Sequence, residues 1–158
     1  MRTLLLSCLA ALALPVAAQT ASVDILPSGA PSSAEPFYPR LSLEGSTVVG
    51  QSFSLSVRNA GPSNLGFLVQ SAAPAPVFSE VLGATVWTSD PLVVQPFTVG
   101  ASIDASGVVV VESLPPALAG LSLTAQAATF SAVAPGSFRI TDAIEFSFGI
   151  PAKPADAL

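Results

Sequence analysis

The sequence contains no histidine and a single cysteine, Cys8. Without histidine, neither a Ser–His–Asp triad nor a Cys–His pair can form, and zinc sites built from histidine and cysteine are excluded as well. The only lysine is Lys153, near the end of the chain, so mechanisms that use a lysine base or a Schiff base are not expected. No Gly-x-Ser-x-Gly motif and no phosphate-binding glycine loop occurs. We therefore expect a protein that is not an enzyme and has no catalytic residue, cofactor or metal.

Charged residues are also scarce, at 9% of the chain against 51% hydrophobic residues. Five basic residues are scattered among 158 positions and are outnumbered by ten acidic ones, so no basic stripe can follow a phosphate backbone. DNA and RNA are therefore not expected as partners. The high hydrophobic content argues equally against a disordered chain.

Carboxylates are the remaining groups that could carry chemistry. The candidates among the ten are Glu80, Asp90, Asp104, Glu112, Asp142 and Glu145. A glycosidase needs two carboxylates about 5–9 Å apart across a cleft, but the spacing along the chain pairs none of these, so a carboxylate-dependent hydrolase is a weak alternative. A calcium site at Asp104 or Asp142 is another, since calcium prefers oxygen ligands. Carboxylates in turns more often accept hydrogen bonds from backbone amides.

Residues 1–18 have the features of a secretory signal peptide. Arg2 supplies a positive charge, residues 4–14 form an apolar segment, and Val-Ala-Ala at 16–18 is a small-residue cleavage site. The apolar segment is shorter than the roughly 20 residues that span a bilayer, so no transmembrane segment is expected. We expect maturation near Gln19 and a secreted or extracytoplasmic location, at the cell surface or in the periplasm.

Cys8 permits a second interpretation, because Leu5-Leu6-Ser7-Cys8 is similar to the lipobox of bacterial lipoproteins. Too few apolar residues precede it to form the hydrophobic region of such a signal, which favours a conventional signal peptide. The mature chain then contains no cysteine and can form no disulfide, so packing alone must hold the fold.

The rest of the chain divides into three parts. Residues 19–39 are rich in Pro, Ser and Ala, which is typical of an extended spacer. We expect a β-sandwich domain over 40–150 and a flexible tail over 151–158. Fifteen prolines and eleven glycines disfavour helices, whereas the abundant Val, Thr, Phe and Ser favour strands.

Alternation of apolar and polar residues predicts strands over 40–44 and 51–59, with Phe53, Leu55 and Val57 facing the core. A more continuously apolar run predicts a strand over 65–71 that is buried on both faces or nearly so. Shorter strands are predicted at 85–88, 92–94, 97–103 and 108–112. The last two are expected to pair across a turn at Asp104-Ala-Ser-Gly107. Residues 113–120 are expected to form a connector with one short helical turn.

The segment 121–148 predicts two adjacent antiparallel strands near the centre of the fold, with a slip of phase at Thr141-Asp142. About seven to nine short strands at this spacing predict an all-β fold with a single antiparallel β-sandwich of Ig-like or Greek-key type. A small closed barrel is the alternative.

Two aromatic residues are candidates for ligand binding. Trp87 is the only tryptophan, and an exposed Trp87 could stack on a sugar ring or anchor a partner. Packing of Trp87 in the sandwich core is the interpretation we favour. Tyr38, beside Phe37 at the end of the spacer, carries a similar ambiguity.

Four segments carry a resemblance to known sequences: Gly-Gln-Ser-Phe-Ser-Leu-Ser at 50–56, Asp-Ala-Ser-Gly at 104–107, Leu-Ala-Gly-Leu-Ser-Leu-Thr-Ala-Gln-Ala at 118–127, and Ile-Thr-Asp-Ala-Ile-Glu-Phe-Ser-Phe-Gly at 140–149. In these segments the chain resembles a small β-sandwich domain that recurs in secreted proteins of planctomycetes and similar large-genome bacteria. The resemblance covers nearly the whole predicted domain. It implies an extracytoplasmic β-sandwich and brings no catalytic or binding residues with it.

These observations favour a secreted or cell-surface, non-catalytic bacterial protein with a structural or adhesive interaction role. Low charge combined with short strands invites pairing between strand edges, so self-association is expected. The alternative is a module that binds a surface glycan or a protein partner through an exposed aromatic side chain, Trp87 or Tyr38.

Overall fold

The computed structural model of the protein describes residues 20–29, 39–61, 65–100, 104–130 and 138–151. Over these residues the chain forms antiparallel β-sheets that pack against each other, with one short 3-10 turn at Pro116–Leu118. The predicted all-β sandwich is confirmed, whereas its Ig-like or Greek-key type stays a prediction. The helical turn expected within residues 113–120 is present.

The described residues contain eleven strands, more than the sequence predicts. They are β1 (Val23–Leu26), β2 (Arg40–Gly45), β3 (Phe53–Arg58), β4 (Leu65–Ser71), β5 (Val77–Ser79), β6 (Ala84–Val86), β7 (Val93–Thr98), β8 (Ala105–Val111), β9 (Ser122–Phe130), β10 (Phe138–Ile140) and β11 (Ala143–Ser147). The predicted strands at 40–44, 51–59 and 65–71 correspond to β2, β3 and β4, because local alternation marks the first two and a continuous apolar run marks the third.

β9 is the centre of the larger sheet. That sheet has the strand order β1-β11-β9-β4-β7, and β10 also pairs with β9. β9 pairs with β4 along one edge and with β10 and β11 along the other. The smaller sheet has the order β2-β3-β8, and β5 and β6 form a separate hairpin. The prediction that residues 121–148 supply adjacent antiparallel strands at the centre is confirmed.

The phase slip predicted at Thr141-Asp142 is a β-bulge between β10 and β11. Ile140 lies opposite Ala128 on β9, whereas Ile144 lies opposite Ala125. Four positions from Ile140 to Ile144 therefore match three positions from Ala128 to Ala125 on β9, which leaves one extra residue between β10 and β11. Because side chains alternate between faces, Ile140 and Ile144 point to opposite sides of the sheet.

The core lies between the two sheets and is built from one face of each. Its buried apolar residues are Phe53, Leu55, Val57, Ala60, Leu68, Phe97, Val99, Ala105, Leu114, Ala125, Ala127, Ile144, Phe146 and Phe148. The ring of Phe53 in the small sheet packs against Phe146 and Phe148 from the chain of the large sheet, with centroids 5.7 and 6.0 Å apart. Burial of each such ring contributes about 1.5–3 kcal/mol.

β1 differs from the expected spacer over 19–39. Val23–Leu26 pairs with β11 as an edge strand of the large sheet. Its residues are mostly exposed, so no alternation of buried and exposed positions identifies it in the sequence. Its partner is distant along the chain: the Ser22 N–H donates to Ser147 Oγ at 3.0 Å across 125 positions. The remainder of the expected spacer, residues 30–38, lies outside the described residues.

The predicted pairing of residues 97–103 with 108–112 is wrong. β7 pairs with β4 in the large sheet, whereas β8 pairs with β3 in the small sheet, so the chain changes sheets between β7 and β8. The separate pieces predicted at 92–94 and 97–103 both overlap a single strand, β7 (Val93–Thr98), and residues 101–103 lie outside the described residues. Pro96 is tolerated within β7 because that strand lies at the edge of the sheet.

Asp104–Gly107, predicted to form a turn, instead leads into β8. Ala105 already pairs with Val57 on β3. The Asp104 carboxylate accepts a hydrogen bond from the Asn59 N–H at 2.9 Å, and Asn59 has a φ of 56°. Asp104 therefore supports the left-handed residue that follows β3, a partner that sequence proximity does not reveal.

Candidate functional site

The hairpin of β5 and β6 lies over the outer face of the large sheet, the face turned away from the core. Gln126, at the middle of β9, is 3% exposed. Its Oε1 accepts a hydrogen bond from the Trp87 backbone N–H at 2.8 Å. Its Nε2 donates to the carbonyl oxygens of Thr85 at 3.2 Å and Thr141 at 2.9 Å. One buried amide side chain thus fixes the hairpin to the sheet.

The residues that follow β1 hold the hairpin from another side. The Thr85 N–H donates to the Ser28 carbonyl oxygen at 2.6 Å. Ser28 in turn donates from its N–H at 2.7 Å and from its hydroxyl at 2.9 Å to Asp142 Oδ1. Asp142, which lies in the bulge, therefore anchors the segment after β1 through two hydrogen bonds to a carboxylate, the stronger class of such bonds.

Trp87 joins these pieces and is half-buried, so it is neither a core residue nor a fully exposed ring. Its indole N–H donates to the Pro27 carbonyl oxygen at 3.0 Å, and its backbone N–H is bound by Gln126. Both polar groups are therefore used within the protein. A sugar-stacking role for Trp87 stays a prediction. Tyr38, the other aromatic candidate, lies outside the described residues.

An apolar pocket of about 150 Å³ lies between the hairpin and the outer face of the large sheet. The described residues that line it are Val69, Leu82, Val86, Thr88, Gln126, Ala127, Ala128, Phe138 and Ile140. Space remains there because β9 presents only the methyl group of Ala128 between larger neighbours. The Phe138 wall is braced by an edge-on contact with Phe130, with ring centroids 4.6 Å apart.

The chain can be compared with protein-family models, with curated proteins and with solved structures. None of the three comparisons finds a match. The resemblance to secreted planctomycete-type domains stays a prediction, and the role of the site follows from its own geometry.

The exposed apolar side chains concentrate around the hairpin, in residues 77–94, which we call the hairpin segment. Twelve large apolar side chains are exposed in the described residues, and six of them lie in this segment: Val77, Phe78, Val81, Leu92, Val93 and Val94. Val81, in the turn of the hairpin, is 95% exposed, and Phe78 on β5 is 64% exposed. The outward side of the hairpin therefore offers apolar contacts to a partner.

Asp104, Asp142 and Glu145 were candidates for catalysis or calcium binding, and they lie within or next to strands of the two sheets. Asp104 immediately precedes β8 of the small sheet, Asp142 lies between β10 and β11 of the large sheet, and each accepts a hydrogen bond from a backbone amide. Glu145 lies on β11, directly opposite Asp24 on β1. Among the residues the structure describes, no three His, Cys, Asp or Glu side chains are grouped so that they could hold a metal ion, and no helix is long and apolar enough to span a membrane.

Sequence reasoning identified Trp87 but missed Gln126, Ala128 and Phe138. Gln126 gives no local signal, because a polar residue on an alternating strand ordinarily faces solvent. Ala128 and Phe138 come from different strands, and only the register that places Phe138 opposite Phe130 brings them to one face. The alanine-rich run in β9 was the one available sign of unfilled space above this strand.

Proposed function

We propose that the protein is a secreted or cell-surface β-sandwich without catalytic activity, with a structural or adhesive role in which copies of the chain self-associate. The apolar surface of the hairpin segment is the observation that supports this proposal. Monomeric soluble proteins rarely expose large apolar patches, because contact between apolar surface and water is unfavourable. A second copy that covers Phe78 and Val81 would remove that contact.

The hairpin segment is dispensable for closing the core. The buried core cluster draws its residues from the two sheets and their connections, and none of its described members falls within 77–94. The exposed valines, leucine and phenylalanine of the segment are therefore not the outer edge of the core. Their position on the surface supports an interaction role.

The hairpin segment contains few charged residues that would oppose this contact. Glu80 and Asp90 are the charged residues of the hairpin segment. Apolar association through Phe78 and Val81 would bury few charges, and burial of unpaired charges is the main electrostatic cost of an interface.

The extracytoplasmic part of the proposal is supported by residues 1–18. Processing near Gln19 would leave Val23–Leu26 intact to pair with β11. Mass spectrometry of the exported protein tests it, and we expect a chain that begins near Gln19. An exported chain that keeps residues 1–18 would contradict processing near Gln19, and a full-length chain found only in the cytoplasm would contradict the extracytoplasmic location.

Self-association is tested by size-exclusion chromatography with light scattering over a range of protein concentrations. We expect the molecular mass to rise with concentration, and the double variant Phe78→Ser/Val81→Ser to remain monomeric. Val110→Ser is the matched control, because Val110 is also 64% exposed but lies on β8 in the small sheet. A wild-type monomer at every concentration would contradict self-association, and equal loss in the control would contradict the hairpin segment as the contact.

A further inference from the structure

We infer that the pocket beneath the hairpin binds a small, uncharged apolar molecule about the size of one benzene ring with a methyl group. The pocket faces the sheet, whereas self-association is proposed for the outward side of the hairpin. The two functions therefore stand or fall separately.

The wall determines the chemistry of the ligand. Seven of the nine lining residues are Ala, Val, Leu, Ile or Phe, and no charged residue is among them. Gln126 contributes no donor, since its Nε2 already donates to the carbonyls of Thr85 and Thr141. Thr88 is the other polar lining residue, and one hydroxyl cannot replace the hydrogen bonds that a charged or strongly polar ligand makes with water, so binding such a ligand is costly. An apolar ligand has no such loss.

The volume determines the size of the ligand. The pocket is partly open to solvent and measures about 150 Å³, and an enclosed apolar cavity of roughly this volume accepts benzene. Phe138 supplies an aromatic wall that favours edge-on or offset contact with a ring. A single small ring therefore matches the apolar space.

The pocket opens to the surface. Five of its lining residues are half-buried rather than buried: Val69, Leu82, Val86, Ala128 and Phe138. Leu82 lies in the turn between β5 and β6, where its N–H donates to the Ser79 carbonyl oxygen at 3.2 Å. A turn held mainly by such short-range bonds can shift to admit a ligand at small cost.

An occupied pocket would also improve the packing of the protein. Protein interiors are close-packed, and side chains that border an unfilled space lose dispersion contacts on that side. A ring placed above Ala128 would restore those contacts for Val69, Val86 and Ile140, so the ligand should stabilise the folded state.

Toluene is the probe and benzoate its charged control, both added to the purified full-length protein. Trp87 is the only tryptophan, and its backbone N–H donates to the wall residue Gln126, so its fluorescence reports on the pocket. We expect toluene to change this fluorescence saturably and to raise the Tm, because a ligand that binds only the folded state stabilises it. Benzoate should do neither.

Ala128→Leu fills the pocket and should abolish toluene binding while leaving the Tm of the ligand-free protein unchanged or higher. Ala117→Leu is the matched control, since Ala117 is exposed in the 3-10 turn, and it should bind toluene as the wild type does. Val86→Ala enlarges the pocket and should bind naphthalene more tightly than the wild type does.

Two results would overturn the proposal. One is a wild-type protein in which toluene produces no saturable change in either readout. The other is an Ala128→Leu variant whose Kd for toluene stays within about twofold of the wild-type Kd, because filling the pocket should weaken binding by at least about tenfold. If Ala128→Leu does not fold, the naphthalene affinity of Val86→Ala decides, and no gain there overturns the proposal. Light scattering on the same samples separates ligand binding from association of copies.

Discussion

The phenyl ring of Phe97 on β7 occupies the space that a side chain at Gly66 on β4 would need. The two residues lie directly opposite each other in the large sheet. A Cβ placed on Gly66 would collide with the Phe97 ring and come within 2.8 Å of the Ala128 carbonyl oxygen on β9. Both neighbouring strands therefore require glycine at this position, whereas the backbone conformation does not, since Gly66 has no positive φ.

Gly66→Ala should destabilise the protein by about 1–3 kcal/mol, the usual cost of overpacking a core. Urea unfolding followed by circular dichroism measures this change. Gly100→Ala is the matched control, because a Cβ there meets nothing within 4 Å, and its effect should stay within about 0.5 kcal/mol. A Gly66→Ala variant as stable as the control would refute the steric role of Phe97.

Gln126→Met should release the hairpin from the large sheet. Methionine fills a similar volume but leaves the Trp87 N–H and the Thr85 and Thr141 carbonyls without this partner, at about 1–3 kcal/mol for each group that stays buried and unsatisfied. We expect lower stability and a red-shifted Trp87 emission, because the hairpin becomes more solvated.

Gln95→Met is the matched control for that experiment. Gln95 Nε2 also donates to a backbone carbonyl, that of Val108 at 2.5 Å, but the bond joins β7 to β8 away from Trp87. This variant should lose stability without moving the Trp87 emission. Identical emission changes in the two variants would show that Trp87 senses general loosening rather than the bond to Gln126.

Two buried threonines should respond in opposite ways to replacement by valine. Thr124 is fully buried, and its hydroxyl has no hydrogen-bond partner among the described residues, whereas Thr141 Oγ1 accepts the Ala127 N–H at 3.0 Å. Thr124→Val removes an unsatisfied polar group and should stabilise by about 1 kcal/mol, while Thr141→Val strands a backbone donor and should destabilise by about 1–3 kcal/mol. Chemical denaturation of both variants measures the difference, and changes of the same sign would contradict this assignment.

Asp24→Asn should stabilise the protein modestly. Asp24 lies directly opposite Glu145 across β1 and β11, and like charges in this arrangement are unfavourable by about 0.2–1 kcal/mol. The gain should shrink in high salt, which screens exposed charges. Asp90→Asn, which removes an exposed loop carboxylate, is the control. A gain in Asp24→Asn that persists in high salt would exclude charge repulsion as its cause.

Local alternation accounts for the parts of the fold that the sequence predicts correctly. Phe53, Leu55 and Val57 alternate with polar residues in β3, so both the strand and its inward face are readable from neighbouring positions. The bulge at Thr141-Asp142 is readable for the same reason, since the alternation changes phase there. β1 is not readable, because its exposed residues carry no pattern and its partner lies at the far end of the domain.

The wrong prediction that residues 97–103 pair with residues 108–112 illustrates a second limit. Asp104 and Gly107 have the composition of a turn, but the Asp104 carboxylate binds Asn59, which a local pattern cannot anticipate. The candidate site also depends on contacts between residues that are distant in the sequence. Its pocket depends on the position of a hairpin that is fixed by Gln126, and tertiary hydrogen bonds of this kind override the surface position that a polar strand residue suggests.

The bulge at Thr141-Asp142 changes the face of the sheet to which the alternating apolar side chains point. Before it, Phe138 and Ile140 line the ligand pocket; after it, Ile144 and Phe146 fill the core. Four positions along a regular strand would place Ile140 and Ile144 on the same face of the sheet, and the one extra residue at the bulge places them on opposite faces. The spacing between these two apolar pairs, more than the identity of any one residue, therefore makes the pocket and the sandwich core parts of a single cooperative structure.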